Sequence, residues 1–180
     1  MLTMNIKIDD LEMYKELCKQ KASVEVGYFD DKIYEAVDEP FYSNVAMPNS
    51  VDPKHPYGQP RRFGRRKAVT ARQVAEFNEY GGGHTPPRPF MRYTFDKFHK
   101  KWVRYVQDDL PITMDAKDTF GSLGTLIRGH ISDTVKAWAE PPNAPATVMA
   151  KGFNNPLVDS GNMSDDFIEI KLNGEAYEPA

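Results

Sequence analysis

The most specific chemical motif in the sequence is the run Asp159-Ser160-Gly161, which matches the catalytic signature of aspartic proteases. Those enzymes need two carboxylates that share a proton, so a chain of 180 residues with one such motif would have to dimerise. They are also rich in β-structure, whereas this motif follows two long predicted helices. The motif therefore favours a turn in which Gly161 adopts a positive φ angle.

The remaining reactive residue types do not combine into a second site. The histidines are His55, His84, His99 and His130. They lack the spacing that directs two ligands to one metal ion, so each is expected at the surface or at a boundary. The single cysteine, Cys18, is expected to fill a small apolar space in a helix. The run 81–83 (GGG) follows a predicted helix instead of preceding one, which indicates a helix stop and not a phosphate site.

A basic segment is the clearest electrostatic feature. Residues 54–67 contain six lysines and arginines and no acidic residue. The candidates for contact with DNA or with an acidic partner are Arg61, Arg62, Arg65, Arg66 and Lys67. Guanidinium groups bind phosphates and carboxylates equally well, so both partners stay open.

The net charge of −3 conceals a strong segregation along the chain. Residues 1–52 carry −6, residues 53–104 carry +10, and residues 105–180 carry −7. These segments could neutralise each other within one fold, or opposite faces could meet between neighbouring copies.

Four amphipathic helices and two strands must position these residues. The helices are predicted at residues 9–21, 70–80, 90–109 and 115–139, with Thr70 and Asp115 as N-caps. Strands are predicted at 22–29 and 167–172, and they are expected to pair. The fold class is therefore α+β, a short antiparallel sheet packed with three to four helices.

Several details of these elements follow from spacing and composition. Val74 and Phe77 are expected on the buried stripe of the second helix, and Phe95 on that of the third. Gly121, Gly124 and Gly129 are costly inside a helix, which indicates close approach of another backbone. The tail from residue 173 is polar and expected to fray.

Domain boundaries are suggested by composition. Residues 30–67 hold five prolines without a sustained period, which predicts a long loop or extended arm within a single domain over residues 1–180. No run approaches the ~20 apolar residues of a membrane span, and the first residues do not resemble a signal peptide.

Two ordered motifs are more specific than composition. Residues 74–81 (VAEFNEYG) and 85–92 (TPPRPFMR) resemble the A-x-x-N-E-(F/Y)-G … P-P-R-P-F-(L/M)-R signature of a family of phage virion morphogenesis proteins. Residues 151–163 (KGFNNPLVDSGNM) are similar to its later K-G-x-x-x-P-L-(I/V)-D-(T/S)-G-x-(L/M) element. The family includes lambda-type minor tail protein Z, Mu-like virion morphogenesis proteins and related neck proteins. The resemblance spans roughly residues 24–170, although residues 30–67 exceed the length that the family leads us to expect.

The resemblance implies a structural virion protein of the head–tail neck that completes tails or joins them to heads. It would be made in the host cytoplasm and act as one subunit of a homo-oligomeric ring, beside other neck, portal-side or tail-tube proteins and without contact with a membrane. Family members have no catalytic site and no cofactor. The alternative function is a non-specific nucleic-acid-binding accessory protein whose basic segment touches packaged DNA.

The candidates for the subunit interface are Glu79, Arg88, Pro89, Phe90 and Arg92. We name residues 85–89 the strap, because three prolines make this segment stiff and lower the ordering cost of binding. One hypothesis places Glu79 with Arg88 or Arg92 in an ion-pair network that fixes the strap. The alternative is that Phe90 simply anchors the strap in the core.

Overall fold

The computed structural model describes residues 8–36, 41–42, 62–63, 67–82, 85–145, 147–148, 152–158 and 161–179. The chain forms two compact units. The first comprises Met1–Gly27, Arg92–Ile131 and Ile168–Ala180, and the second comprises Tyr28–Met91 and Ser132–Phe167. A single domain over residues 1–180 stays a prediction.

The helices end close to their predicted bounds. They are α1 Ile8–Leu17, α2 Ala71–Tyr80, α3 Phe90–Thr113 and α4 Ala116–Ala137. At the start of α2, the hydroxyl of Thr70 accepts a bond from the backbone N–H of Gln73, whose side chain accepts one from the N–H of Thr70. At the start of α4, Asp115 Oδ1 accepts bonds from the backbone N–H groups of Lys117 and Asp118, in the first turn of the helix. Both predicted N-caps are confirmed.

The strands are short and all pair antiparallel. They are β1 Val24–Gly27, β2 Ile33–Tyr34, β3 Phe41–Tyr42, β4 Arg62–Phe63, β5 Val69–Thr70, β6 Glu169–Leu172 and β7 Glu175–Ala176. In the first unit, β1 and β6 pair with Val26 opposite Ile170, as predicted, and β7 extends the sheet. The α+β fold class, helices with a short antiparallel sheet, is confirmed.

The expectation of a frayed tail is wrong. Asn173 and Gly174 both adopt positive φ angles, 55° and 85°, and reverse the chain so that β7 returns along β6. An Asn-Gly pair accepts this conformation at low cost, which is why it closes tight hairpins.

Side chains, and not the other backbone that was expected, come close to two glycines of α4. A Cβ atom on Gly124 would lie 2.7 Å from Ile170 Cγ2 and 2.9 Å from Val24 Cγ2. A Cβ atom on Gly121 would lie 2.6 Å from the Tyr177 hydroxyl. Gly129 has no such neighbour within 4 Å, so close approach does not account for it.

Short strands replace part of the predicted arm in the second unit. Ile33 pairs with Thr70, and Phe41 pairs with Phe63. The rest of the predicted arm, residues 37–40, 43–61 and 64–66, lies outside the described residues.

Three side-chain expectations are wrong. Cys18 follows the last residue of α1 and is exposed, so it fills no apolar space. Phe77 and Phe95 are also exposed. The buried face of α2 consists of Ala71, Ala75 and Glu79, because small side chains admit close packing and the carboxylate finds a bonding partner.

His130 departs from the expected surface position. It is buried in the first unit, where its ring stacks on Phe98 with a centroid distance of 3.9 Å. Its Nδ1 accepts a hydrogen bond from Trp102 Nε1 at 2.9 Å. This aromatic contact joins α3 to α4.

In the second unit, Asp165 connects α4 to the turn that follows residue 161. Its Oδ1 accepts bonds from Lys136 Nζ at 2.6 Å and Ser132 Oγ at 3.2 Å. Its Oδ2 accepts a bond from the hydroxyl of the buried Ser164 at 2.7 Å. The Lys136 hydrogen bond, followed by that of Ser164, lowers the pKa of Asp165 below its ordinary value.

We expect Asp165→Asn to lower the free energy of unfolding at pH 7 by about 1 kcal/mol or less, because the ion pair is half exposed. A lowered pKa stabilises the folded state above the pKa of an unfolded aspartate. The difference from the native chain should therefore vanish as pH falls through the lowered folded value. Urea unfolding across this acid range tests it, with the exposed Asp166→Asn as control. A difference independent of pH would contradict the assignment.

Candidate functional site: the junction between α2 and α3

The first resemblance motif forms the junction between α2 and α3. After α2 ends, the backbone groups of Gly82 and Thr85 exchange two hydrogen bonds of 3.0 and 2.9 Å, which turn the chain back. The strap then runs against the end of α2, where the Arg88 N–H donates to the Asn78 carbonyl at 2.7 Å. The helix end and the strap are thus tied together by main-chain bonds.

Glu79 caps the start of α3 from the last turn of α2. Its side chain is buried, with 5% of its surface exposed, and its Oε2 accepts a bond from the Met91 N–H at 2.9 Å. The first N–H groups of a helix have no partner inside the helix, and the positive end of its dipole attracts a carboxylate. One side chain of α2 therefore satisfies and stabilises the next helix.

Arg88 lies buried between two parts of the second unit, with 6% of its surface exposed. Its Nε donates to the Pro141 carbonyl at 3.3 Å, and its Nη1 donates to Asn78 Oδ1 at 3.4 Å. Burial lowers the pKa of Arg88 from its ordinary value, although a guanidinium remains charged at neutral pH. The arginine thus connects the strap to the segment that follows α4.

Asn78 completes this arrangement. Its Nδ2 donates to the Val74 carbonyl at 2.9 Å within α2, which leaves the Oδ1 atom turned toward Arg88. Consecutive Asn and Glu residues in the motif thus serve different partners, the strap for Asn78 and the start of α3 for Glu79.

Phe90 is fully buried, as the anchoring alternative expects. Its ring meets Tyr28 edge to face, with centroids 5.9 Å apart and planes at 78°. The Tyr28 hydroxyl donates to the Met163 carbonyl, and burial raises the pKa of Tyr28 above its ordinary value. No sequence pattern indicated that Tyr28 would bond to Met163 or that Arg88 would bond to Pro141.

The interface candidates therefore differ in exposure. Glu79, Arg88 and Phe90 are buried, Pro89 is half-buried, and Arg92 is exposed. The described bonds of Glu79 and Arg88 run to backbone groups and Asn78, and an ion-pair network with Arg92 stays a hypothesis.

An exposed face lies beside these buried residues. Tyr80 is 67% exposed and Phe77 is 48% exposed, and both lie on the side of α2 opposite Ala71 and Ala75. Pro86 and Pro87 of the strap are also exposed, and the Phe77 ring lies over Gly82. We name Phe77, Tyr80, Pro86 and Pro87 the strap face.

The basic segment is described only in part. Arg62 lies in β4, and Lys67 is exposed, whereas Arg61, Arg65 and Arg66 lie outside the described residues. Asp159 and Ser160 also lie outside them, next to Gly161, whose φ angle of 91° is the positive value expected for a turn.

Two wider properties of the described residues bear on this site. Their histidines, cysteine and carboxylates form no group of three that could hold a metal ion. No helix in the same part of the chain has the length and apolar composition needed to cross a membrane.

We expect Gly81→Ala to lower the free energy of unfolding by about 1–3 kcal/mol. Gly81 has a φ angle of 75°, and an added Cβ would lie 2.8 Å from the Pro87 nitrogen. Gly129→Ala is the matched control, because this helical position has open space within 4 Å. It should raise stability by about 0.5–1 kcal/mol. Urea unfolding measures both changes, and equal signs would contradict the role of Gly81.

We expect Glu79→Ala to destabilise the chain more than Glu79→Gln. Alanine leaves the Met91 N–H without its acceptor, which costs about 1–3 kcal/mol. Glutamine keeps an acceptor oxygen and loses the charge near the helix start, worth about 0.3–1 kcal/mol. Hydrogen exchange of the Met91 amide should accelerate in the alanine variant, and equal effects of the two changes would refute the capping role.

Compared with known protein families, curated proteins and solved structures, the chain has no match.

Proposed function

We propose that this chain is a non-enzymatic structural protein of the head–tail neck of a tailed bacteriophage, one subunit of a ring that completes tails or joins them to heads. The observation that carries the proposal is the junction between α2 and α3. Its buried motif residues tie the two helices to the strap. The strap face, with its aromatic and proline side chains, is left exposed to solvent.

The bonding of the buried polar residues at the junction supports a structural role. A catalytic acid, base or anion-binding arginine must face its substrate, at hydrogen-bond distance. Glu79 and Arg88 instead face backbone groups of the same unit and are almost fully buried. Their contribution is to fix the shape of the surface above them.

The strap face supports a role in protein contact. Aromatic side chains are enriched where proteins bind each other, and a surface that is already ordered loses little entropy on binding. Tyr80 and Phe77 project from a helix, and Pro86 and Pro87 restrict the neighbouring backbone. Arg92, the exposed member of the interface candidates, offers a planar fork for a carboxylate.

Ring formation requires two different faces on one subunit, because a head-to-tail contact joins unlike surfaces. The strap face is one candidate surface. The segregation of charge along the chain supplies surfaces of opposite sign, which favour a fixed order of subunits over random association.

The decisive experiment removes the gene and examines the particles. We expect the polypeptide in purified native virions by mass spectrometry, and full heads beside unattached tails by electron microscopy after deletion. Joined, infectious particles without the polypeptide would refute the proposal.

Complementation with variants then tests the strap face. Tyr80→Ala should leave stability within about 0.5 kcal/mol, since its side chain is exposed, and should reduce the yield of joined particles. Tyr14→Ala, at an exposed tyrosine of α1, is the control and should complement fully. Full complementation by both variants would exclude the strap face as a contact surface.

A further inference from the structure

A basic stripe runs along the middle of α3. Lys97, Lys100, Lys101 and Arg104 follow the i, i+3, i+4, i+7 spacing that places side chains on one face of a helix, and all four are exposed. We name these residues the basic stripe. They extend over roughly 10 Å of helix, at 1.5 Å per residue.

The charge of this stripe is poorly balanced by its surroundings. Arg104 Nε lies 3.6 Å from Asp108, but their side chains are 82% and 73% exposed, so the pair contributes little. Lys97 Nζ lies over the ring of Tyr93, 5.3 Å from its centroid. Among the described residues, neither Lys100 nor Lys101 has a carboxylate within 4.0 Å.

The basic stripe lies too far from either end of α3 to interact with the helix dipole. A helix favours acidic residues near its start and basic residues near its end. α3 has no acidic residue in its first turn and no basic residue in its last, and Asp108 and Asp109 follow the basic stripe. The dipole of α3 therefore does not account for the four positive charges on one of its faces.

Exposed aspartates lie near the end of α3 and at the start of α4. Asp109 Oδ2 accepts a bond from Thr119 at 2.9 Å, which ties the end of α3 to the start of α4. Asp108 and Asp118, the exposed neighbours of these two residues, carry negative charge there. We name Asp108 and Asp118 the acidic end.

We propose that the basic stripe binds the acidic end of a neighbouring identical copy. This inference rests on the proposed ring, and it names one surface through which successive subunits meet. Every copy carries both charges, so a head-to-tail contact pairs them in each interface of a closed ring. Opposite charges at such a contact also select one register against others.

Nucleic acid fits the stripe less well. Duplex DNA presents a phosphate for every ~1.7 Å of its axis, so a bound duplex would extend beyond the ~10 Å of the stripe. Along α3 it would then meet Asp108 and Asp109, whose carboxylates repel phosphates. A protein surface of limited size and opposite charge meets no such repulsion.

Charge reversal tests the contact on the full chain. The double variant Lys100→Glu/Lys101→Glu should weaken self-association by about tenfold or more in sedimentation at low salt. Asp108→Lys/Asp118→Lys should weaken it likewise. An equimolar mixture of the two variants should regain association, because opposite charges again face each other. Circular dichroism verifies that each variant keeps its helices.

The control is Lys21→Glu/Lys32→Glu, which changes the net charge equally at exposed positions outside the stripe and outside the basic segment. It should associate like the native chain. Association of both reversed variants at native strength, no recovery in the mixture, or a native chain that stays monomeric would each overturn the inference.

A mixed-sequence DNA duplex distinguishes the two kinds of partner. If Lys100→Glu/Lys101→Glu abolishes DNA binding and leaves self-association intact, the stripe is a nucleic-acid surface and the inference is wrong. If reversal leaves association intact while deletion of the gene still separates heads from tails, only the inference fails and the proposed function stands. Joined particles after deletion would refute the proposed function itself.

Discussion

Two helices that follow each other within ten residues must satisfy the backbone groups that both helix ends leave without partners. At the end of α2, the Asn78 carbonyl accepts a hydrogen bond from the Arg88 N–H of the strap. The Glu79 carboxylate accepts one from the Met91 N–H in the first turn of α3. Gly81 allows this close packing, because it has no Cβ atom to collide with Pro87 and its positive φ angle costs glycine little. The buried side chains of Arg88 and Phe90 then anchor the strap through contacts with Pro141 and Tyr28.

This arrangement separates the residues that shape the surface from the residues that could touch a partner. The polar members of the resemblance motif point inward, and the exposed aromatic and proline side chains lie on the strap face. The polar residues of the junction therefore fix its geometry through bonds within the second unit. The basic stripe on α3 differs, since its four charged side chains are exposed and its contacts within α3 include the exposed ion pair of Arg104 with Asp108 and the position of Lys97 over the Tyr93 ring.

Local signals predicted much of the fold. Side-chain chemistry identified the caps at Thr70 and Asp115, and alternation identified the pairing of β1 with β6. Periodicity failed on α2, because it groups residues into faces without telling which face is covered: Phe77 is exposed, whereas Glu79 is buried by a bond to a residue twelve positions on. For the site, the motif predicted the position of the junction. The bond of Arg88 to Pro141, 53 residues away, has no signal in the local sequence. The Asn173-Gly174 pair is itself a local hairpin signal, and the chain reverses there into β7.

The order of strands in the first unit has a consequence for how the protein is made. Among the described strands, β6 is the one that pairs with β1, and 144 residues separate Val26 from Ile170. At ribosomal speeds of about 5–20 residues per second, roughly 7–29 s pass between the synthesis of β1 and that of β6. During that interval the nascent chain cannot form this pairing, so a chain whose translation stops before residue 169 would lack it.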